Sequence, residues 1–380
     1  MFRAFRSNKR SLRADLFVIT LLAFVVRVYV VFLSGLPWYS TDTFDYLRQA
    51  DAILTHQPIS YFPNGYPLLI ASVKLVFSDP VPVLAWMNVL FSTLTVVLSF
   101  EIARNINTNP LIVGLIVALY PNQLNYCRQL LSDTPTTFLL LSSVWLILTR
   151  KHFWAGLILY LAAMFRSTLL PILPAYLVIA WCFQRQLRSL ATYALGALVG
   201  LTFHGGLLLA EVILPAANFG LNLLIAVGSY SYDLKHSISI YSPSEQSHPL
   251  QTYLSFALNH PLTFIAQRLD SLWELWGPWP AYGRSLFAKP VIGLRFPLLL
   301  IGGIGAYKYR RSFHAWILFT PVVVITLGHT VFFSYPRYTL PVEPLLVVLA
   351  VASLCDFETC FQKFVSGRQM RSTNAIEKHA

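Results

Sequence analysis

Two carboxylates open the first polar stretch of this chain, WYSTDTFDY, which follows an apolar run near the N-terminus. Asp42 and Asp45 are one helical turn apart, so in a helix they would lie near each other on one face. A carboxylate beside a hydroxyl group can remove its proton as a general base. The stretch therefore predicts general base chemistry, with Asp42 as the base and Asp45 as a supporting acid.

The same two acids also have a structural interpretation. The apolar spacing from Phe44 to Leu54 predicts a helix, in which Asp42 would be the N-cap and Asp45 would occupy the third helical position. An Asp at that position replaces the Glu or Gln of the usual capping box. Capping and catalysis are compatible, because a cap would also hold the acid in place.

A third acid, Asp133, stands in the sequence LLSDTPTTF at the start of another apolar segment. A Pro early in a helix follows it, which favours an N-cap. The local residues thus offer an N-cap as the interpretation of Asp133.

Four arginines lie near polar segments at the ends of apolar segments: Arg166, Arg337, Arg128 and Arg284. The planar guanidinium of arginine presents several donors to an oxyanion. Arg166 could also snorkel to the membrane interface, and Arg337 could anchor lipid headgroups.

The composition shows what kind of protein positions these residues. The chain has 380 residues, of which 56% are hydrophobic and 12% are charged. Soluble domains carry about 25% charged residues, so most of this surface does not face water. Several segments approach the roughly 20 apolar residues that cross a bilayer. The composition predicts an all-α, polytopic membrane protein that forms one transmembrane domain over residues 1–380.

The apolar segments predict about ten spans. Long external loops are expected at 37–80 and 215–289, each carrying helices that lie along the interface. Segment 152–166 is short, because as a helix it rises about 22 Å against a core of about 30 Å. The spans are expected at about 16–36, 81–103, from 111, 134–149, 152–166, 167–183, 190–214, 291–307, 315–333 and 340–354.

The net charge of +12 is distributed unevenly along the chain. Basic clusters lie at the ends of alternate spans, which predicts that both termini and the basic loops are cytoplasmic. The acids lie mainly at the other ends, which places the candidate site outside. The charge is thus a topology signal and does not predict nucleic-acid binding. The four cysteines show neither metal spacing nor a disulfide framework.

Six motifs occur in a fixed order: Asp42 followed by Tyr46 and Ala50, then FPNGYPLL, LYPNQLNYCRQLLSDTP, AAMFRSTLLPILP, NHPLTFIAQRLDSLWELW and RYTLPVEPLLVVLA. In this order the chain resembles the polyprenyl-phosphate-sugar-dependent glycosyltransferases of the GT-C fold, which include protein O-mannosyltransferases and aminoarabinose transferases. The resemblance covers most of the chain. Many relatives place adjacent Asp and Glu at the first motif, whereas here Thr43 follows Asp42.

The resemblance implies transfer of a hexose or pentose from a polyprenyl phosphate to an acceptor hydroxyl of a lipid, glycan or protein, with inversion. The site would face the periplasm from a plasma membrane. Asp42, Asp45 and Asp133 would be catalytic, and the arginines would bind the donor phosphate. Expected acceptor or sugar contacts are Tyr46, Tyr66, Trp276 and Tyr338, although Trp276 could belong to an interfacial aromatic belt. No cofactor or metal site is predicted, and a divalent metal held by distant loops stays open.

Two rival interpretations remain. A membrane transporter or flippase for lipid-linked sugars would also need a polar site among apolar spans, although transporters often show repeated halves and charges near mid-membrane. This sequence shows no repeat, and its charges gather near span ends. The other rival is a non-catalytic assembly subunit, in which Asp42 and Arg166 would be dispensable.

Overall fold

The computed structural model describes residues 9–34, 38–59, 61–215, 218–227, 248–277, 293–332 and 334–354, and all regular elements in these ranges are helical. The helices in the first half are α1 (Lys9–Val28, extended by a π-helical turn, Tyr29–Leu33), α2 (Thr41–Leu54), α3 (Gly65–Lys74), α4 (Pro80–Asn105), α5 (Pro110–Leu119), α6 (Pro121–Cys127), α7 (Asp133–Leu148) and α8 (His152–Phe165).

The second half continues with α9 (Ile172–Gln184), α10 (Leu187–Leu209), α11 (Asn218–Val227), α12 (Pro249–Asn259), α13 (Pro261–Trp276), α14 (Arg295–Lys308), α15 (Phe313–Val331) and α16 (Glu343–Leu354). Short 3₁₀ turns, Ser167–Leu169 and Pro336–Thr339, precede α9 and α16. The all-α prediction is confirmed for the described residues.

Five helical segments of the described chain are long and apolar enough to cross a membrane: Leu12–Leu33, Pro80–Asn105, Ser167–Gln184, Leu187–Leu209 and Phe313–Val331. Helices α5, α7, α8 and α16 are also apolar but shorter. A helix stands at each of the ten predicted spans, with ends shifted by a few residues. An apolar helix that is too short to cross a membrane alone is tolerated where neighbouring protein covers its ends.

Helices α4, α7 and α8 pack against each other in succession, and α10 packs against α8. Glycines allow α8 and α10 to approach closely. A Cβ atom on Gly196 would lie 1.9 Å from the Phe153 carbonyl oxygen, and one on Gly156 would lie 2.1 Å from that of Tyr193. Small residues that let backbones meet are a common device between membrane helices. This packing fixes α8, whose end carries Arg166.

The first loop folds into α2 and α3, which pack on each other and on the end of the bundle. Tyr66 and Ile70 of α3 are buried, whereas Leu75 and Val76 just beyond it are exposed. Lys74 of α3 bonds Asp51 of α2 at 2.6 Å. The predicted short helix of this loop is therefore present, with one face on the protein and an apolar end free to meet lipid.

Arg27 in α1 bonds to neutral oxygen atoms of neighbouring helices. It is fully buried. Its guanidinium donates to Ser92 Oγ at 2.7 Å and to the carbonyls of Ala118 and Val117 at 3.1 and 3.4 Å. Pro121 cannot donate to the Val117 carbonyl, so the break between α5 and α6 leaves acceptors that the arginine satisfies.

Candidate active site

Asp42 lies in the first turn of α2, but it is not the N-cap. The helix begins at Thr41, and its N-cap is Ser40, whose backbone N–H donates to Thr43 Oγ1 at 3.0 Å. The capping interpretation of Asp42 and Asp45 is therefore wrong, because Ser40 and Thr43 form the cap. The carboxylate of Asp42 is left to interact with other parts of the protein.

Hydrogen bonds join the start of α2 to the segment before α7. The backbone N–H of Leu130 donates to the Trp38 carbonyl at 2.9 Å, and Thr43 Oγ1 donates to the Leu130 carbonyl at 3.1 Å. One turn further along α2, the Tyr46 hydroxyl lies 3.1 Å from Ser132 Oγ. The two segments that carry Asp42 and Asp133 are thus held side by side.

Asp133 pairs with Arg166 across the α7–α8 hairpin, where α7 begins and α8 ends. Arg166 Nη2 donates to Asp133 Oδ1 at 2.6 Å, and the two side chains are only 10% and 2% exposed. Ser132, not Asp133, precedes the helix as N-cap, so the capping role predicted for Asp133 is wrong. The snorkelling role of Arg166 is also wrong, because its charge is neutralised inside the protein.

Arg337 pairs with Asp42 in the same region. Its Nη2 donates to Asp42 Oδ2, and the side chains are 18% and 21% exposed. Both cations lie near the ring of Tyr338, whose centroid is 5.5 Å from the Arg337 Cζ and 5.0 Å from the Arg166 Cζ. Such distances are those of cation–π contacts. Two ion pairs therefore meet around one aromatic ring.

A buried polar network holds the 3₁₀ turn that carries Arg337 and Tyr338. Glu343 Oε1 accepts from Thr339 Oγ1 at 2.6 Å and from Asn122 Nδ2 at 2.7 Å. Gln123 Nε2 donates to the Leu340 carbonyl at 2.9 Å. The polar stretch of α6 thus fixes the turn from one side, which explains polar residues in an otherwise apolar span.

Arg295 fixes the same turn from another side. This arginine is fully buried, and its Nη1 donates to the carbonyls of Leu275 and Pro336, the latter at 2.9 Å. It links α13 to the residue before Arg337. In addition, the ring of His329 in α15 stacks on Tyr338 with 4.2 Å between ring centroids and an interplanar angle of 19°. The positions of Arg337 and Tyr338 are therefore determined by α6, α13, α14 and α15.

Several buried donors near the ion pairs have no hydrogen-bond partner among the described residues. They include Arg166 Nη1, Arg337 Nε, the Tyr66 hydroxyl and Thr168 Oγ1. A buried donor without a partner costs about 1–3 kcal/mol, and more when it is charged. Two of these four donors belong to the guanidiniums that already hold the acids. The site therefore presents hydrogen-bond donors that an oxyanion could satisfy.

Tyr46 and Tyr66 form a buried aromatic pair behind the acids. Their rings meet edge to face with centroids 5.0 Å apart. Burial raises the pKa of the Tyr46 phenol, an effect opposed by its bond to Ser132. Burial likewise raises the pKa of the Tyr66 phenol, with a smaller contribution from Tyr46. Both phenols therefore remain protonated at neutral pH and can act only as neutral hydrogen-bonding groups.

The other predicted site residues have partners outside these two ion pairs or lie outside the described part. Asp45 forms an exposed pair with Arg48 at 3.2 Å. Arg128 donates to Asn125 at 3.0 Å. Trp276 is buried, and its Nε1 donates to Thr326 Oγ1 at 3.0 Å, which fits packing of α13 on α15. Arg284 lies outside the described residues.

Two residues near the site did not stand out in the sequence. In the sequence, Arg295 resembles an ordinary basic residue that flanks a span. Its burial could have been suspected from its position within the apolar stretch VIGLRFPLLL, which contains no acid. Tyr61 is half-buried close to Asp42, Asp45 and Tyr338. Burial raises the pKa of the Tyr61 phenol, and the nearby acids add to the effect.

Within the described ranges, no group of three or more His, Cys, Asp or Glu side chains is placed to hold a metal ion. The acids of the site bind guanidiniums instead, Asp42 with Arg337 and Asp133 with Arg166. The arrangement that the described residues show is one of paired charges around Tyr338.

Comparison with known proteins gives a fold but no family. No protein-family model matches the sequence. No curated protein matches it either. Solved structures of an oligosaccharyltransferase from Archaeoglobus fulgidus do match. The apo form aligns with a TM-score of 0.59 and 14% identity over 94% of this chain.

Two further structures of oligosaccharyltransferase from Archaeoglobus fulgidus also match this chain. AglB in complex with an inhibitory peptide and a dolichol-phosphate has a TM-score of 0.53, 16% identity and 93% coverage of this chain. The enzyme tethered to an acceptor peptide has a TM-score of 0.56, 15% identity and 92% coverage. The chain spans about half of these proteins, 52%, 52% and 50% of their lengths. Its helices therefore have the GT-C fold.

Proposed function

We propose that this protein is an integral membrane glycosyltransferase that moves a hexose or pentose from a polyprenyl phosphate to an acceptor hydroxyl with inversion. The proposal is supported by two ion pairs that lie near the ring of Tyr338. They are Asp42 with Arg337 and Asp133 with Arg166. The reaction needs a base for the acceptor and cations for the phosphate, and this cluster supplies both. The GT-C fold supports the same class of reaction.

The two arginines are proposed to bind the donor phosphate. Arg166 Nη1 and Arg337 Nε are buried donors without partners among the described residues. A phosphate oxygen would satisfy them by charge-assisted hydrogen bonds, which are stronger than neutral ones. The apolar helices that surround the site give the lipid tail an environment of matching polarity. One solved relative of similar fold is itself in complex with a dolichol-phosphate.

Asp42 is the proposed general base. Its side chain is 21% exposed, so an acceptor can reach it, whereas the side chain of Asp133 is 2% exposed. Asp42 would take the hydroxyl proton while the acceptor oxygen attacks the anomeric carbon. The bond from that carbon to the phosphate oxygen breaks, and the phosphate keeps the electron pair. A single displacement of this kind inverts the anomeric carbon, and the guanidiniums stabilise the leaving charge.

The remaining candidates receive supporting roles in this proposal. Asp133 holds and orients Arg166. Asp45, one turn from Asp42, contributes electrostatically at most, because it is paired with Arg48 in solvent. Contacts to sugar or acceptor are proposed for Tyr46, Tyr66, Trp276 and Tyr338, and further phosphate contacts for Arg128 and Arg284. The acceptor would be a lipid, glycan or protein at the periplasmic face of a plasma membrane, with both termini cytoplasmic.

The direct test is turnover by the purified protein in lipid nanodiscs. Polyprenyl-phosphate sugars carrying different hexoses and pentoses are supplied, and released or transferred sugar is measured. Hydrolysis or transfer that depends on Asp42 supports an enzyme. Movement of the lipid-linked sugar across proteoliposomes without bond cleavage would instead show a flippase. Absence of both, with Asp42 and Arg166 dispensable in cells, would show an assembly subunit.

A further inference from the structure

We propose that the donor phosphate itself releases the general base. In the donor-free protein, Arg337 holds Asp42, and a bound phosphate draws Arg337 away so that Asp42 can accept the acceptor's proton. Donor must then bind before the acceptor can be activated. This inference rests on the proposed function. It adds an order of binding, donor before acceptor activation, that is set by the Asp42–Arg337 ion pair.

The first step of the argument concerns Asp42, whose carboxylate is bound by Arg337. Arg337 Nη2 donates to Asp42 Oδ2, one of the two oxygens of the proposed base. The pair joins α2 to the turn before α16. It is therefore a contact between distant parts of the chain and not a pair within one helix. An acid held in this way is a poor partner for an acceptor until the guanidinium moves or is shared.

The second step is that a ligand can reach the pair. The side chains of Arg337 and Asp42 remain 18% and 21% exposed, in contrast to 10% and 2% for Arg166 and Asp133. Arg337 Nε has no partner among the described residues. A phosphate that approaches the exposed part of the pair can therefore gain this buried donor as the guanidinium turns away from Asp42.

The third step is a balance of charge. Asp42, Asp133, Arg166 and Arg337 are two anions and two cations, so together they are formally neutral. A phosphate adds negative charge, which the two guanidiniums attract and the two carboxylates repel. Both guanidiniums lie against the same ring, that of Tyr338. Phosphate and Asp42 consequently compete for Arg337, and the more exposed of the two pairs should yield.

This competition predicts an unusual effect of removing the base. Asp42→Asn and Asp42→Ser both remove the negative charge that competes for Arg337. A hydrogen bond to a charged group contributes enough free energy that removing the Asp42 carboxylate, which competes with phosphate for Arg337, should raise the affinity for phosphate about tenfold. We therefore expect these variants to bind polyprenyl phosphate about tenfold more tightly than the wild type, although neither should turn over a sugar donor.

The experiment measures the dissociation constant of polyprenyl phosphate, without sugar, in nanodiscs. Asp51→Asn is the matched control, because it removes a carboxylate from the same helix that pairs with Lys74. Its affinity should equal that of the wild type. The double variant Asp42→Asn, Arg337→Gln should lose the gain, because tighter binding requires a freed Arg337.

Unchanged or weaker binding in both Asp42 variants would overturn the inference. So would a gain that persists without Arg337, since it would be a general charge effect. If the wild type turns over a sugar donor while the Asp42 variants bind no tighter, the order of events fails and the proposed function stands. If the wild type neither binds the lipid phosphate nor turns over any donor, both fail.

Discussion

The guanidinium of Arg166 lies 5.0 Å from the ring centroid of Tyr338, although the two residues belong to opposite halves of the chain. The same ring is 5.5 Å from Arg337, which holds Asp42. This contact brings the buried pair of the α7–α8 hairpin together with the more accessible pair at the start of α2. The site is therefore made where several helix ends meet, a feature that each helix alone would not indicate.

Removal of the Arg166 charge is expected to weaken donor binding. Arg166→Ala leaves Asp133 buried without its partner, and breaking a buried ion pair in this way costs about 3–5 kcal/mol of stability. Arg166→Lys restores the charge without the planar fork, so it should recover part of the donor affinity. The measurement is the affinity for polyprenyl phosphate, with thermal unfolding recorded for each variant.

The double variant Asp133→Asn, Arg166→Gln separates folding from binding. It replaces the ion pair by neutral groups of similar shape, so it should be more stable than Arg166→Ala. It should nevertheless bind donor weakly, because the cation is absent. Wild-type affinity in this variant would show that Arg166 has only a structural role.

Close packing of α3 against the end of α8 is expected to affect donor binding indirectly, because it sets the position of Arg166. A Cβ atom on Gly65 would lie 2.5 Å from the Phe165 ring and 2.7 Å from the Met164 backbone, one and two residues before Arg166. Gly65→Ala should therefore displace this end of α8, lower stability and weaken donor affinity.

Gly303→Ala in α14 is the matched control, because an added Cβ there meets nothing within 4 Å. It should leave donor affinity and thermal unfolding close to wild type. Equal behaviour of the two alanine variants would contradict a role for the Gly65 contact in placing Arg166.

Disruption of the turn that carries Arg337 should affect turnover more than folding. Glu343→Gln keeps an acceptor for Thr339 or Asn122 but replaces the carboxyl group near Arg295 by an amide. We expect a lower kcat and weaker donor binding, because Arg337 and Tyr338 are no longer held in one place. Steady-state kinetics test this expectation. A change in thermal stability alone, with unchanged kinetics, would assign Glu343 to folding only.

The proposed topology is open to cysteine labelling in a cysteine-free background. Asp133 and Trp276 are buried, so two exposed residues are the better external reporters: Asp45, one turn from Asp42, and Trp273, one turn before Trp276. These two positions should react with a membrane-impermeant reagent added outside. Positions Arg104, Lys151, Arg188 and Arg310 should react only after permeabilisation, because basic loops are expected inside. External labelling of the second group would reverse the assignment.

Helix positions were predictable from the sequence because apolar length and basic flanks are local signals. The candidate residues Asp42, Asp133, Arg166 and Arg337 could be chosen for the same reason, since each is a charge at the end of an apolar segment. Their pairing was not predictable. Arg337 and Asp42 are 295 positions apart, and Asn122 and Glu343 are 221 apart. Nothing in either local sequence specifies its partner.

Local capping rules also failed where a neighbouring residue competed for the role. Ser40 and Thr43 cap α2, which releases Asp42 for the ion pair. Arg27 is buried without help from an acid of its own helix, because the break at Pro121 leaves backbone carbonyls that the arginine satisfies. Deviations from local rules in this protein thus lie where helix ends meet, which is where the candidate site lies.

The most direct test of the central claim is the turnover of Asp42→Asn with a polyprenyl-phosphate sugar that the wild type uses. The substitution keeps the shape of the side chain and removes its capacity to accept a proton. Since Ser40 caps the helix, the variant should fold and bind donor. A positioned general base contributes about 10²- to 10⁴-fold, so turnover should fall at least about a hundredfold, with a smaller loss for Asp45→Asn. Near-normal turnover by folded, donor-binding Asp42→Asn protein would contradict the assignment of Asp42 as the base.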